Sequence, residues 1–220
     1  MLEMNSTPRL RQVKHGYTSG ARSLASRSVT SLARTGITPN VLTTTGVSLC
    51  LAAAVLVPFE EHDKLLVFWL AAGIFVVGSL LDILDGALAR VGGKSTPFGA
   101  FIDSTTDRVG EGAMLAAIAL VFSRHGKDWA VVVAVAAVVG SFLVSYTRAR
   151  AEALGLRGDV GLGSRAERVV LITAGLVFAP WGGLPWAIVA LAATAWLTVV
   201  QRILHVRKQL SGGTSGIDQR

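Results

Sequence analysis

Between residues 41 and 206 the chain is a succession of apolar stretches separated by short polar connections. The stretches fall at 41–59, 65–91, 97–123, 129–150, 166–182 and 184–206, and a bilayer-crossing helix needs about 20 such residues. They predict six transmembrane helices. The fifth has the shortest apolar core, ended by Pro180, and is kept because the basic C-terminus would otherwise change sides. Upstream, residues 20–35 read GARSLASRSVTSLART. Leu24, Val29 and Leu32 fall roughly on one side and Arg22, Arg27 and Arg34 elsewhere, the pattern of an amphipathic helix lying in the membrane interface. Residues 1–19 read as a disordered N-terminus and 207–220 as a tail. The expected architecture is all-α and integral to the membrane, with one domain over 20–206.

Composition agrees. The 220 residues are 51% hydrophobic and 16% charged, with a mean hydropathy of +0.55, too apolar for a soluble domain of this length. Cys50 is the single cysteine, which excludes an intrachain disulfide, and the four histidines lack zinc-ligand spacing. The net charge of +7 would suit nucleic acid or an anionic membrane. Since the basic residues flank the spans, the partner is membrane lipid and not nucleic acid. The first stretch lacks the apolar core of a secretory signal.

Lys and Arg also orient the helices. The N-terminal segment carries six, the 2–3 connection two (Arg90, Lys94), the 4–5 connection five and the C-terminal end four. Lys64, Arg124 and Lys127 lie on the other side. The positive-inside rule then makes both termini cytoplasmic.

Against this background four acids stand out in SLLDILDGALAR (79–90) and FGAFIDSTTDR (98–108). With about 100° per residue, Asp82, Asp85, Gly86, Ala89 and Arg90 share one face of helix 2. Asp103 and Asp107 align with Gly99 at four-residue steps on helix 3. The short 92–96 connection makes these helices antiparallel neighbours, so their inner halves bring the four carboxylates together. Each charge within a span costs about 2.5–3.5 kcal/mol, or about 10 kcal/mol for four. Salt bridges to Arg90 and Arg108 would offset part of this, but two arginines do not neutralise four aspartates. Two divalent cations do. All-oxygen ligation selects a hard ion, Mg²⁺ or alternatively Mn²⁺, which completes its shell with substrate phosphates. Gly86 and Ala89 leave room beside the acids, and Arg90 makes the face a niche for a nucleotide diphosphate.

The pattern Asp82-x-x-Asp85-Gly86-x-x-Ala89-Arg90, eight residues, then Gly99-x-x-x-Asp103-x-x-x-Asp107 resembles the signature of the CDP-alcohol phosphotransferases at every position. The resemblance runs from TPNVLTTTG (38–46) to the last span. Within the family, SYTRARAEALGLRGDVG (145–161), RAER (165–168) and QR (201–202) are most similar to the bacterial phosphatidylinositol phosphate synthases. That resemblance implies a six-helix homodimer in the bacterial cytoplasmic membrane, with the active site on the cytoplasmic side. Its substrates would be CDP-diacylglycerol and inositol 1-phosphate. It implies that Asp82 and Asp103 bridge both metal ions and Asp85 completes the first site. Asp107 would touch the second ion and act as general base. Gly86, Arg90 and Thr96, with Asp82, would hold the CDP moiety together with Asn40 and Thr43. Asn40 stands where some members have Asp.

Arg148, Arg150, Arg165, Arg168 and Arg202 gather at the inner ends of helices 4, 5 and 6, with Ser145 a turn before Arg148. Guanidinium groups match a phosphate dianion, and the resemblance makes these six the inositol-phosphate pocket. Arginines at inner span ends are also ordinary topology signals, the reading that suffices for Arg157, Arg207 and Lys208. Three alternatives remain at this point. Phosphatidylglycerophosphate synthase would use glycerol 3-phosphate at the same metals. A divalent-metal transporter would use the acids as an ion path. An aspartate-rich membrane prenyltransferase also pairs acids with Mg²⁺-diphosphate, although the Gly86/Ala89/Arg90 pattern and the Asp103–Asp107 spacing argue against it.

Overall fold

In hydrocarbon a segment must satisfy its own backbone N–H and C=O groups, which leaves the helix as the structure for each apolar stretch. The computed structural model describes residues 39–91 and 96–214. Its helices are α1 (Pro39–Leu56), α2 (Lys64–Val91), α3 (Pro97–Arg124), α4 (Asp128–Ala153), α5 (Arg165–Val177) and α6 (Leu184–Thr214). Short 3₁₀ turns follow α1 (Val57–Phe59) and α5 (Ala179–Trp181), and no strand occurs among the described residues. The expected starts and ends hold to within a few residues, with two exceptions. Helix α6 continues to Thr214, past the expected end at 206, so the first part of the supposed tail is helical. Helix α5 stops at Val177. The expected interfacial helix at 20–35 and the disordered 1–19 lie outside the described residues.

Four segments are long and apolar enough to cross a bilayer: Asn40–Phe59, Lys64–Gly86, Asp128–Ala153 and Leu184–Ser211. The other two of the six expected spans, α3 and α5, do not meet that measure among the described residues. Helix α3 carries Asp103, Asp107, Arg108 and Glu111 in its first and central turns. Helix α5 has 13 residues, about 20 Å at 1.5 Å per residue, short of a hydrocarbon core of about 30 Å. The outer surface is apolar, with Val55, Leu66, Val132 and Val170 exposed, as befits a membrane protein. Trp69 meets Trp181 (ring centroids 6.3 Å apart) and Trp129 meets Trp186 (6.0 Å). These pairs form an aromatic belt of the interfacial kind at the end of the bundle opposite the aspartates.

One core binds the helices through Phe68 and Phe75 (α2), Met114 and Ile118 (α3), Ile172 (α5) and Leu191 (α6). Helices α2 and α3 touch little among the described residues. Helix α1 packs along both of them, so the expectation that α2 and α3 are direct neighbours is corrected. The cause is glycine. A Cβ on Gly46 would lie 2.8 Å from the Gly78 carbonyl oxygen, one on Gly78 would lie 2.7 Å from that of Gly46, and one on Gly110 would lie 3.1 Å from Cys50 Cβ. Small residues allow such backbone approach in membrane helices. Helix α1 therefore wedges between α2 and α3 and floors a cleft between their acidic halves.

The segment before α5 is docked on α6 by the same device. Gly161 adopts φ +115°, a region open to glycine, and any Cβ there would strike the Thr198 side chain. Gly163 N donates to Thr198 Oγ1 (2.7 Å), which itself donates to the Thr194 carbonyl (2.7 Å). The start of α5 is thus fixed against α6.

Gly78→Val is predicted to destabilise the bundle by about 1–3 kcal/mol through overpacking. Gly73→Ala, where an added Cβ meets nothing within 4 Å, leaves it unchanged or slightly more stable. Thermal unfolding in detergent measures both.

Candidate metal centre and the arginines beside it

Asp82 and Asp85 are buried on α2, at 5% and 2% exposure, one helical turn apart. Asp103 and Asp107 on α3 are half-buried. Asp82, Asp85 and Asp103 each offer a carboxylate oxygen within 4.8 Å of the others, although they come from two helices. Helix α1 supplies the third wall. Thr43 Oγ1 donates to Asp85 Oδ2, and a Cβ on Gly46 would lie 3.5 Å from Asp82 Cβ. Asp85 Oδ1 is buried with no hydrogen-bond partner among the described residues. A buried carboxylate oxygen without a donor is costly, and the convergence of carboxylate oxygens from Asp82, Asp85 and Asp103 suits a hard divalent cation. The residues present fit the metal.

Among the described residues the cation found on these acids is Arg165, at the first position of α5. Its Nη1 pairs with Asp82 Oδ2, and its Nη2 lies 2.6 Å from Asp107 Oδ1. The sequence resemblance put Arg165 in the phosphate pocket and Arg90 on the CDP moiety, and the salt bridges weighed against metal were those of Arg90 and Arg108. Arg108 instead donates to the Ser104 carbonyl, and the Arg90 side chain lies outside the described residues. A capping box presents Arg165. Ser164 Oγ accepts from Glu167 N (3.4 Å) and Glu167 Oε2 accepts from Ser164 N (2.6 Å), satisfying free N–H groups at the helix start.

The other expected pocket residues divide. Arg168 is buried and bidentate on Glu111, with Nε–Oε1 2.7 Å and Nη2–Oε2 3.0 Å, and its Nη1 donates to the Gly163 carbonyl at 2.8 Å. Arg202 is buried as well. It donates from Nε to the Val160 carbonyl (2.9 Å) and from Nη1 to that of Val144. Arg148 is exposed and pairs with Glu152 at 2.8 Å. Arg150 is exposed. Ser145 Oγ donates to the Ser141 carbonyl at 3.4 Å. Arg148 and Arg168 are electrostatic neighbours of Arg202, and Arg165 and Arg168 are neighbours of Arg108. A cationic region therefore adjoins the acids, built on α4, α5 and α6.

Of the expected nucleotide contacts, Thr43 is engaged with Asp85, Gly86 is half-buried on α2 and Asn40 is exposed on the first turn of α1. Thr96 caps α3, its Oγ1 accepting from Gly99 N at 3.0 Å. Sequence reasoning missed Glu111. The signal was present, since 103, 107 and 111 continue one four-residue ladder along α3.

Residues 36–204 match the family described as CDP-alcohol phosphatidyltransferase. The chain belongs to this family. It is 39% identical over 183 residues to the phosphatidylinositol phosphate synthase of Mycolicibacterium smegmatis, with 79% of each chain covered. It is similar to the crystal structure of Mycobacterium tuberculosis phosphatidylinositol phosphate synthase with CDP-DAG bound. There the TM-score is 0.72 at 31% identity, over 84% of this chain and 94% of that one. The same enzyme in complex with manganese and citrate gives a TM-score of 0.72 at 33% identity, over 83% and 88%. A CDP-alcohol phosphatidyltransferase is a metal-dependent membrane enzyme, so the transporter and prenyltransferase alternatives fall away.

The Arg168–Glu111 pair yields a stability prediction. Glu111→Ala strands a buried guanidinium and is expected to cost about 3–5 kcal/mol. Adding Arg168→Met removes the stranded charge and recovers most of that loss. Thermal unfolding of the two single variants and the double variant closes the cycle.

Proposed function

We propose that this chain is a phosphatidylinositol phosphate synthase. It transfers the phosphatidyl group of CDP-diacylglycerol to a hydroxyl of inositol 1-phosphate and releases CMP. The observation that carries the reading is the meeting of Asp82, Asp85 and Asp103 across two helices, beside a cationic region on α4, α5 and α6. An acid cluster alone fits any member of the family. Arginines beside it call for an acceptor that carries its own phosphate. The likeness to synthases of that name supports the same choice.

In this mechanism Asp82, Asp85, Asp103 and Asp107 hold two divalent ions, Mg²⁺ or Mn²⁺. Bound metal supplies charge neutralisation of the diphosphate and of the developing oxyanions. Thr43 orients Asp85. Asn40, Gly86 and Thr96 line the place of the CDP moiety, at the start of α1, toward the end of α2 and at the start of α3, and Arg90 joins this set by its position in the sequence motif. An inositol hydroxyl oxygen attacks the lipid-side phosphorus, the bond to the CMP oxygen breaks, and Asp107 accepts the hydroxyl proton. CMP leaves, and the new phosphodiester links inositol phosphate to diacylglycerol. Little covalent work falls to the protein, as is usual in phosphoryl transfer, where positioning and electrostatics dominate. Arg165, Arg168 and Arg202 provide the field that holds the acceptor phosphate, with Arg148, Arg150 and Ser145 nearer its rim. The site faces the cytoplasm with both termini, α3 and α5 cross beside the four longer apolar helices, α5 being extended by the 3₁₀ turn Ala179–Trp181, and two copies form a homodimer.

The test is release of labelled CMP from CDP-diacylglycerol with inositol 1-phosphate, inositol, glycerol 3-phosphate and serine as acceptors. Inositol 1-phosphate is expected to support turnover at least about 100-fold above inositol and serine, because these lack the phosphate and a lost charge-assisted contact costs about 1.5–3 kcal/mol. It is also expected to exceed glycerol 3-phosphate, which keeps the phosphate but lacks the inositol ring. Preference for glycerol 3-phosphate would transfer the chain to phosphatidylglycerophosphate synthesis. EDTA is expected to abolish release and Mg²⁺ or Mn²⁺ to restore it. Asp107→Asn is expected to lower kcat by about 10²–10⁴-fold, the usual worth of a general base, with CDP-diacylglycerol binding retained.

A further inference from the structure

Arg165 differs from the arginines around it in the kind of partner it has. Arg168 makes three bonds, two to Glu111 and one to a backbone carbonyl, and Arg202 rests on two backbone carbonyls. Both are buried and held by groups that belong to the scaffold. Arg165 is held only by Asp82 and Asp107 in the ion pairs of the described residues, and these are acids that the metal also needs. Its side chain retains 29% exposure, so it has a way out. Its backbone is held in place by the Ser164 capping box and by the docking of Gly161 and Gly163 on Thr198. The side chain can move while the helix stays.

We infer that Arg165 is a counter-ion latch that couples metal binding to acceptor binding. In the metal-free protein its guanidinium spans Asp82 and Asp107 and supplies the positive charge those carboxylates require. Lone pairs engaged by a guanidinium are not offered to a cation, and two positive groups at one carboxylate repel. Metal entry therefore turns Arg165 away. The displaced guanidinium sits at the start of α5, beside Arg168, where an acceptor phosphate offers it a new anion.

Linkage makes the coupling reciprocal: whatever factor the phosphate adds to metal affinity, metal adds to phosphate affinity. This inference rests on the proposed reading for its second half, the acceptor phosphate. Its first half, competition with metal, stands on the two ion pairs alone.

The experiment measures Mn²⁺ affinity by electron paramagnetic resonance on the full chain in lipid nanodiscs, without CDP-diacylglycerol, so that no turnover enters. Arg165→Gln is expected to bind Mn²⁺ about tenfold more tightly than wild type, since the competing charge is gone. Arg108→Gln removes a charge that also acts on Asp107 but bonds to the Ser104 carbonyl. It controls for the general field and is expected to change affinity by less than about threefold. Inositol 1-phosphate is expected to tighten Mn²⁺ binding to wild type by about fivefold or more, within the usual range of such coupling, and to leave Arg165→Gln unchanged.

Equal tightening in Arg108→Gln and Arg165→Gln, or none in Arg165→Gln, overturns the latch. Coupling in wild type with glycerol 3-phosphate or inorganic phosphate but not inositol 1-phosphate supports the latch and removes the acceptor assignment instead. Should Arg165→Gln not fold, Arg165→Lys replaces it. A single ammonium cannot span two carboxylates as a guanidinium fork does, so this variant is expected to bind Mn²⁺ about threefold more tightly than wild type, and no change would again overturn the latch.

Discussion

Carboxylates held together in a membrane bundle demand positive charge, because little water is there to solvate them. Asp82 and Asp85 are almost fully buried, and their oxygens converge with one of Asp103. Uncompensated, such a group would be neutralised by taking up protons or would not hold together. The rest of the inner half is arranged around that demand. Thr43 donates to Asp85, Arg165 bridges to Asp107, and the cationic ends of α4, α5 and α6 adjoin the acids. A divalent ion answers the same demand more fully than one guanidinium can, and it brings the phosphates of a nucleotide with it. Electrostatic need and catalytic purpose therefore coincide at one place.

The scaffold makes the convergence possible without crowding. Had α2 and α3 packed directly on each other, their acidic faces would have closed on one another and left no space for a diphosphate. Helix α1 separates them and can do so because Gly46, Gly78 and Gly110 permit near-contact of backbones and of Cys50. On the far side of the cleft, Glu111 fixes Arg168, and Thr198 fixes the Gly161–Gly163 approach to α5. These buried links position Arg165 without themselves touching the acids. Family membership, shown over residues 36–204, gives this geometry its chemistry: transfer of a phosphatidyl group from a CDP-linked lipid.

Much of this was legible in the sequence. Helix positions followed from apolar runs that a bilayer dictates, and the acid cluster followed from helical periodicity at Asp82, Asp85, Asp103 and Asp107. What stayed hidden depended on which helix faces which. The wedge of α1 rests on glycines, and glycine is too common in membrane helices to announce a crossing point. The destination of Arg165 could not be told from that of Arg168, three residues away, because both sit at an inner helix end. Glu111 was visible as the next rung of the acidic ladder, yet its role needed the arrival of α5. The shortness of α5 was visible in its short apolar core and Pro180, while charge counting argued for a crossing there.

Anomalous diffraction from crystals of the full chain grown with manganese tests the central claim most directly. The account predicts manganese peaks in the cleft above α1, bonded to oxygens of Asp82, Asp85 and Asp103, with the Arg165 guanidinium turned away from Asp82. Manganese found elsewhere at saturating concentration, with the guanidinium still on Asp82 and Asp107, would contradict it.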